Sequence, residues 1–218
     1  MAGFFLGISH AFDADHVAAV STIVSEKKKV LPSALLGVIW GFGHTMTLLA
    51  AVLGMFLIGF KIPEIMQNNA EVLVGIMLLV LGILAIKKAL GKQIHSHEHI
   101  HDGLYHTHIH QHIFEKGHEH SHEKRSLLVG VIHGLAGSAA LMVVIAANAN
   151  GLGNGLGYVL AFGVGTTIGM AFITALMAIP FSLIPIIEKS RRVPTVQAIC
   201  GIFSILVGLF ILFETLML

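Results

Sequence analysis

Charge and cysteine are both scarce in this chain, and each shortage excludes a class of protein. Only 11% of the residues are charged, whereas a soluble domain carries about 25%, and the mean hydropathy of +0.84 predicts an integral membrane protein in contact with lipid. The net charge of +1 and the lack of a basic patch interleaved with aromatic residues argue against nucleic acid as a partner. The one cysteine, Cys200, cannot form an internal disulfide or a dithiol redox pair.

Catalytic motifs of membrane enzymes are missing as well. The sequence contains no H-E-x-x-H zinc motif of the kind used by metallohydrolases. Together with the single cysteine, this argues against a membrane enzyme or a redox conduit built on a three-plus-three helix fold. We predict that the chain is not an enzyme and holds no cofactor.

Six apolar segments are long enough to cross a bilayer, which needs about 20 apolar residues. The first segment has no basic region ahead of it and carries four charged or titratable groups, so we interpret it as a mature span rather than a signal peptide. The sequence predicts an all-α integral membrane protein with six transmembrane helices, at approximately residues 2–24, 33–59, 68–90, 127–148, 156–186 and 194–217.

The positions of the basic residues predict how these spans are oriented. With six spans, the loops after the first, third and fifth lie on one side of the membrane, and all of the 13 Lys and Arg residues except Lys61 fall in or beside those loops. Basic loops tend to stay in the cytoplasm. We therefore expect both termini outside and the long loop inside, in a prokaryotic plasma membrane.

The two halves of the sequence resemble each other. Residues 6–12 of the first span are similar to 129–135 of the fourth, and 41–46 of the second are similar to 163–168 of the fifth. Each half has three spans, so similar halves must be inverted, an architecture that places substrate sites near the midplane. Unless glycine-rich helices resemble one another here by chance, the sequence predicts a 3+3 inverted-topology repeat with divisions at 1–91, 92–126 and 127–218.

Glycines that recur four residues apart favour close packing of the spans. Small residues at this spacing let two helix backbones approach each other. The pairs are Gly3/Gly7, Gly37/Gly41, Gly130/Gly134 and Gly165/Gly169, and Gly75 and Gly82 of the third span match Gly201 and Gly208 of the sixth.

The first span contains a polar cluster, His10-Ala-Phe-Asp13-Ala-Asp15-His16. Titratable groups inside a span are costly and usually functional, and imidazole with carboxylate favours nickel, cobalt or zinc. On a regular helix His10, Asp13 and His16 share one face, whereas Asp15 points elsewhere unless the helix is distorted. Asp13 or Asp15 could instead hold an imidazole by accepting its N–H. A proton relay or a structural His/Asp network is the alternative to metal binding.

Two further histidines lie within predicted spans. His44 sits near the middle of the second span and becomes a candidate ligand beside the first cluster. His133 occupies the position equivalent to His10 in the second half, nearer the cytoplasmic side. Otherwise His44 is a satisfied core residue and His133 a hydrogen-bond donor between packed helices.

The long loop is dominated by histidine at alternating positions. Such tracts are typical of metal binding, and a flexible loop can wrap several imidazoles around one ion; a merely solvated linker is the alternative. We predict a second, cytoplasmic metal-binding segment formed by His95, His97, His99, His101, His106, His108, His110, His112, His118, His120 and His122.

The cluster in the first span resembles the H-A-x-D-A-D-H signature of the nickel/cobalt transporter superfamily. Trp40-Gly-Phe-Gly-His44-Thr45 is similar to a second signature of that family, and Leu128 to Ala140 resembles its compact UreH-like members. The resemblance implies that His10, Asp15 and His16 are essential ligands, supported by Asp13 and His44. Because the fifth span lacks the later acidic signature of typical members, the metal and the direction of transport stay open.

From these features we predict a secondary transporter for divalent transition-metal ions, with Ni²⁺ or Co²⁺ as the cargo and Zn²⁺ as a further candidate. Uptake through a midplane His/Asp site is the leading hypothesis, with hand-off to a cytoplasmic metallochaperone. Efflux, with the His-rich loop collecting metal in the cytoplasm, and a non-transporting metal sensor are the alternatives. Membrane lipid is an expected partner, and an oligomer is compatible with the sequence.

Overall fold

A computed structural model describes residues 2–25, 29–59, 64–91, 95–101, 104–110, 123–136, 151–183 and 186–217. Helices make up most of this part of the chain. They are α1 (Ala2–His10), α2 (Ala14–Val24), α3 (Val30–Ile58), α4 (Glu64–Leu90), α5 (described over 123–136), α6 (Leu152–Leu183) and α7 (Ile186–Met217).

Four of these helices are long and apolar enough to cross a membrane. They contain 25 to 32 residues, and at 1.5 Å per residue each exceeds the roughly 30 Å thickness of the bilayer core. Their outward surface carries exposed apolar side chains such as Phe172, Leu206 and Phe210, as expected of a surface that faces lipid. The four candidate spans among the described residues are Val30–Ile58, Ile65–Leu90, Leu152–Leu183 and Val193–Met217.

The chain is therefore a helical integral membrane protein, while the predicted count of six spans is not confirmed by the four candidate spans among the described residues. The first predicted span is two short helices, α1 and α2, joined by a turn at residues 11–13. Of the fourth predicted span, only residues up to 136 are described. The sixth predicted span, 194–217, matches the candidate span Val193–Met217, although the helix α7 itself begins at Ile186 and contains Pro194.

The break in the first helix has a local cause and a consequence for the site. Asp13 precedes α2 with an extended backbone (φ −61°, ψ 150°), so the chain changes direction between the two helices. Asp is typical of this position, since its short polar side chain disfavours the helix interior. The last residue of α1, His10, and the first turn of α2 thus meet in the interior of the bundle. Broken helices of this kind form the ion sites of many transporters.

The helices pack closely at glycines. α3 lies against α6, α4 against α7, and α1 and α2 contact α6 and α7 respectively. A Cβ atom added at Gly7 would overlap the backbone of α6, and one at Gly130 would overlap the carbonyl oxygen of Trp40. The predicted close packing is confirmed at all four glycine pairs, because each of these eight glycines faces atoms of a neighbouring helix.

Part of the His-rich segment forms an antiparallel hairpin, which the all-α prediction did not include. Strands β1 (His95–His101) and β2 (Leu104–His110) pair so that His95, His97 and His99 lie opposite His110, His108 and His106. Alternation with period two suits a strand, and here it gives three cross-strand pairs of histidines. The predicted loop ligands His112, His118, His120 and His122 lie outside the described residues.

Candidate metal centre

The end of α1 places His10 beside Asp13. The His10 Nδ1–H donates a hydrogen bond to Asp13 Oδ2 at 2.7 Å. This contact fixes the ring tautomer, so the lone pair of His10 lies on Nε2, the other ring nitrogen. Asp13 is more than half exposed, so it orients His10 from the edge of the cluster.

The first turn of α2 brings Asp15 and His16 to the interior. Asp15 Oδ1 accepts the backbone N–H of His16 at 2.8 Å and lies 3.0 Å from the ring Nδ1 of His16. Its second oxygen, Oδ2, lies 3.6 Å from His133 Nε2 on α5. An acidic side chain in the first helical turn is also favoured by the helix dipole. The carboxylate of Asp15 therefore lies between two buried imidazoles.

His133 is oriented by its own helix. Its Nδ1–H donates to the carbonyl oxygen of Val129 at 3.1 Å, so its Nε2 carries the lone pair and faces Asp15. His10 and His133 thus show the same arrangement: one ring nitrogen is held by a hydrogen bond, and the other is directed into the cluster.

His44 completes the cluster from α3. It is fully buried, and its ring centroid lies 5.2 Å from that of His10 and 5.8 Å from that of His16. His16 itself is 4.6 Å from both His10 and His133 by ring centroids. Three separate helical segments therefore converge on His16.

Six ring nitrogens in this cluster have no hydrogen-bond partner among the described residues. They are His10 Nε2, both ring nitrogens of His16, both of His44, and His133 Nε2. A buried polar atom left without a partner costs about 1–3 kcal/mol. Each neutral imidazole has one lone pair, so the four rings offer four, and a cation that accepts them is the simplest way to offset the cost. The donor set is imidazole nitrogen with one carboxylate, which suits borderline transition metals.

Two overlapping groups of side chains in this cluster are close enough to hold a metal ion. One consists of His10, His16 and His44, the other of Asp15, His16 and His133, and within each group the ligand atoms lie within 4.8 Å of one another. Two nitrogens bound to one ion at about 2.1 Å can be at most about 4.2 Å apart. Small side-chain movements therefore suffice to close either group around an ion.

Two aromatic rings flank the cluster at opposite ends, and the sequence interpretation missed both. Phe162 of α6 lies 5.4 Å from His10 by ring centroids, and Trp40 of α3 lies 5.2 Å from His133. A helical spacing of four residues between Trp40 and His44 was the available signal, since it places both on one face.

The structure brings together five of the six ligands predicted within the spans and leaves one outside. His10, Asp15, His16, His44 and His133 come together, whereas Asp13 lies outside both metal-competent groups. The expected shared face of His10, Asp13 and His16 is wrong because the helix breaks at residues 11–13. The same break turns Asp15 toward His133, so the distortion expected near Asp15 is present.

Comparison with known proteins places these features in a family. Residues 18–210 match the family described as "Cytochrome C biogenesis protein transmembrane region". The chain is 41% identical to the urease accessory protein UreH of Bacillus sp. (strain TB-90) over 83% of its own length and 76% of that protein. It is 26% identical to the chloroplast protein FOR GROWTH AND FERTILITY 2 of Arabidopsis thaliana, over 79% of this chain and 45% of that one. No solved structure matches.

These comparisons bear on the class of protein. The relative is named as an accessory protein and the family by a role in biogenesis, and neither description names a catalytic activity, in agreement with the prediction that the chain is not an enzyme. The match to a membrane family agrees with the apolar helices of the structure. The chain is an integral membrane protein that belongs to the family of cytochrome c biogenesis transmembrane regions, with a urease accessory protein among its relatives.

Proposed function

We propose that this protein carries a divalent transition-metal ion, Ni²⁺ or Co²⁺, across the membrane through the cluster around His16. The observation that carries the proposal is the set of six unpartnered ring nitrogens on four histidines inside a helical membrane protein. Polar groups in spans are expensive and usually belong to a transport path or a relay. Histidines with a purely structural role would be expected to have hydrogen-bond partners for their ring nitrogens.

Nickel is the favoured cargo. Urease contains nickel, and a relative of this chain is named as a urease accessory protein; supplying nickel for urease would match that name. The resemblance of the segment with His10, Asp15 and His16 to a nickel/cobalt transporter signature supports the same ion. The single cysteine, Cys200, offers no dithiol for redox transfer, so a metal cargo accounts for the cluster better than electron transfer does.

Reciprocal contacts between the halves support an inverted repeat. Gly43 of α3 packs against the carbonyl of Leu127, and Gly165, the counterpart of Gly43, packs against the carbonyl of Phe4, the counterpart of Leu127. The same exchange relates α4 and α7, where Gly75 meets Gly208 and Gly82 meets Gly201. In two inverted three-helix units related by a two-fold axis, each contact between the halves has a counterpart in which the halves change roles. The cluster then lies near the interface of the units.

Uptake is our proposed direction. In the positive-inside orientation, His10 faces the outer side and His133 the cytoplasmic side, and the His-rich hairpin stands in the cytoplasm. An ion would lose its water to the imidazoles and leave toward a cytoplasmic acceptor. The hairpin would then bind metal as it emerges.

Flux into liposomes tests the proposal. Purified protein is reconstituted into vesicles that contain a metal-sensitive dye, and Ni²⁺ is added outside. We expect dye quenching with wild-type protein and none above protein-free vesicles with His16→Ala. A buried hydroxyl remote from the cluster provides the control: Thr174 already bonds the Met170 carbonyl, and Thr174→Val should transport normally. Equal flux with His16→Ala and wild type would reject the cluster as the path.

Efflux is the second candidate, and the His-rich segment is what favours it. Three cross-strand histidine pairs in the hairpin form a metal collector if the segment is cytoplasmic. Deleting residues 95–122 separates the two directions in cells. Loss of resistance to high nickel would support efflux, whereas retained uptake at low nickel would support import.

A further inference from the structure

We infer that His16 is a shared ligand that passes one ion between two adjacent positions, formed by His10, His16 and His44 and by Asp15, His16 and His133. The inference rests on the proposed transport function and specifies its path. Both groups of ligand atoms are close enough to bind an ion, and His16 is the only residue common to them.

The geometry around His16 suits a transfer. Its ring centroid lies 4.6 Å from the His10 ring and 4.6 Å from the His133 ring, the first edge-on at 76° and the second stacked at 29°. Neither ring nitrogen of His16 has a hydrogen-bond partner among the described residues. His16 Nδ1 lies 3.0 Å from Asp15 Oδ1 without forming a hydrogen bond there. Packing therefore holds the ring more than a directional bond does, and a small rotation can redirect a nitrogen from one group to the other.

Charge limits the two positions to one ion at a time. Within the two groups, Asp15 supplies the single carboxylate and every other ligand is an imidazole. Two divalent ions a few ångströms apart would repel strongly in a buried site, with only one negative charge to offset four positive ones. The positions are alternatives, and the group that contains Asp15 is the resting one because it carries the negative charge.

A different aromatic residue flanks each of the two positions. Phe162 packs beside His10, and Trp40 packs beside His133. Phe162 and Trp40 also occupy equivalent positions in the two halves, since each contacts a glycine of the other half, Gly7 and Gly130 respectively. An ion at the His10 position is thus nearest one aromatic side chain, and an ion at the His133 position is nearest the other.

Cobalt binding to the purified full-length protein tests the two positions separately from transport. His10→Asn and His133→Asn each keep an N–H donor for the existing bonds to Asp13 and Val129 and remove Nε2. We expect wild type to bind one Co²⁺ more than His16→Ala, since ions held by the His-rich segment are common to both chains. The visible spectrum of this additional ion should be unchanged in His10→Asn. His133→Asn should still bind this ion but with a different spectrum, because the ion then rests on His10, His16 and His44. His16→Ala should keep only the ions held by the His-rich segment.

Nickel flux in vesicles completes the test. His10→Asn and His133→Asn should each fall to the level of protein-free vesicles although each binds an ion, while Thr174→Val stays at the wild-type rate. Two Co²⁺ lost with His16→Ala, identical spectra for the two Asn variants, or normal flux in His133→Asn would each overturn the shared-ligand path. If wild type carried no nickel, the transport function would fail, and the stoichiometry and spectra would still decide whether His16 serves two positions.

Discussion

The imidazole of His133 stacks on that of His16, with ring centroids 4.6 Å apart and an angle of 29° between the planes. One ring belongs to α5 in the second half of the chain and the other to α2 in the first half. Their contact is possible because α1 stops at His10 and α2 starts at Ala14, which turns His16 toward α5. The break between α1 and α2 is therefore what allows His133, in the second half of the chain, to join the site.

The single tryptophan of the chain reports metal binding directly. Trp40 lies 5.2 Å from His133 and 5.8 Å from His16 by ring centroids, and no other tryptophan is present in the sequence. Ni²⁺ and Co²⁺ quench nearby indole fluorescence through their unfilled d shells, whereas Zn²⁺ does not. We expect saturable quenching of the intrinsic tryptophan emission by Ni²⁺ in detergent-solubilised protein.

Two variants locate the origin of that quenching. His16→Ala should abolish it, and deletion of residues 95–122 should leave it intact, because the hairpin is a separate segment from the cluster. If the deletion removed the quenching and His16→Ala did not, the ion near Trp40 would not be bound at His16.

The two aspartates of the first helix should differ in their effect on affinity. Asp13→Ala removes the acceptor that orients His10, and loss of such a supporting partner lowers metal affinity roughly 10–100-fold. Asp15→Ala removes a carboxylate from the group that includes His16 and His133 and should weaken binding further. Titration of the Trp40 quenching with Ni²⁺ measures both dissociation constants at the cluster, apart from ions on the His-rich segment. A larger loss in Asp13→Ala than in Asp15→Ala would contradict the assignment of these roles.

Much of the fold was predictable, and the site was predictable in part. Long apolar runs placed the four candidate spans within a few residues, because lipid imposes a strict length and composition. The ligand group that contains Asp15 could not be predicted from the sequence. On a regular helix Asp15 would point away from His10 and His16, and only the break at residues 11–13 brings it to His133. His133 itself was found through the repeat, by its match to His10.

The hairpin in the His-rich segment was overlooked although the sequence carried a signal. Asp102-Gly103 is a dipeptide that favours tight hairpin turns, and it separates two runs with alternating histidines. Histidines at alternating positions are compatible with two structures, a β-strand and a flexible metal-binding loop. The composition favoured the loop, so the strands were not predicted.

Glycines at helix contacts should be far more sensitive to substitution than glycines at open positions. A Cβ at Gly130 would overlap the Trp40 carbonyl, whereas one at Gly157 meets nothing within 4 Å. Gly130→Ala must displace a helix backbone, an overpacking cost of about 1–3 kcal/mol, while Gly157→Ala should stabilise α6 by roughly 0.5–1 kcal/mol. Thermal unfolding in detergent should show a lower Tm for the first variant and an equal or higher Tm for the second. Equal loss of Tm in both would contradict the close approach of α3 and α5.

The orientation of the spans decides which end of the cluster receives the ion, and it can be measured by cysteine labelling. In a Cys200→Ser background, Gly153→Cys places a thiol at the start of α6, where a side chain meets nothing within 4 Å, and Leu104→Cys places one at the start of β2. The positive-inside rule puts position 153 outside and position 104 in the cytoplasm. A membrane-impermeant maleimide should therefore label Gly153→Cys in intact cells and Leu104→Cys only after permeabilisation. The reverse pattern would place His133 on the outer side, and the proposed uptake path from His10 to His133 would then run outward.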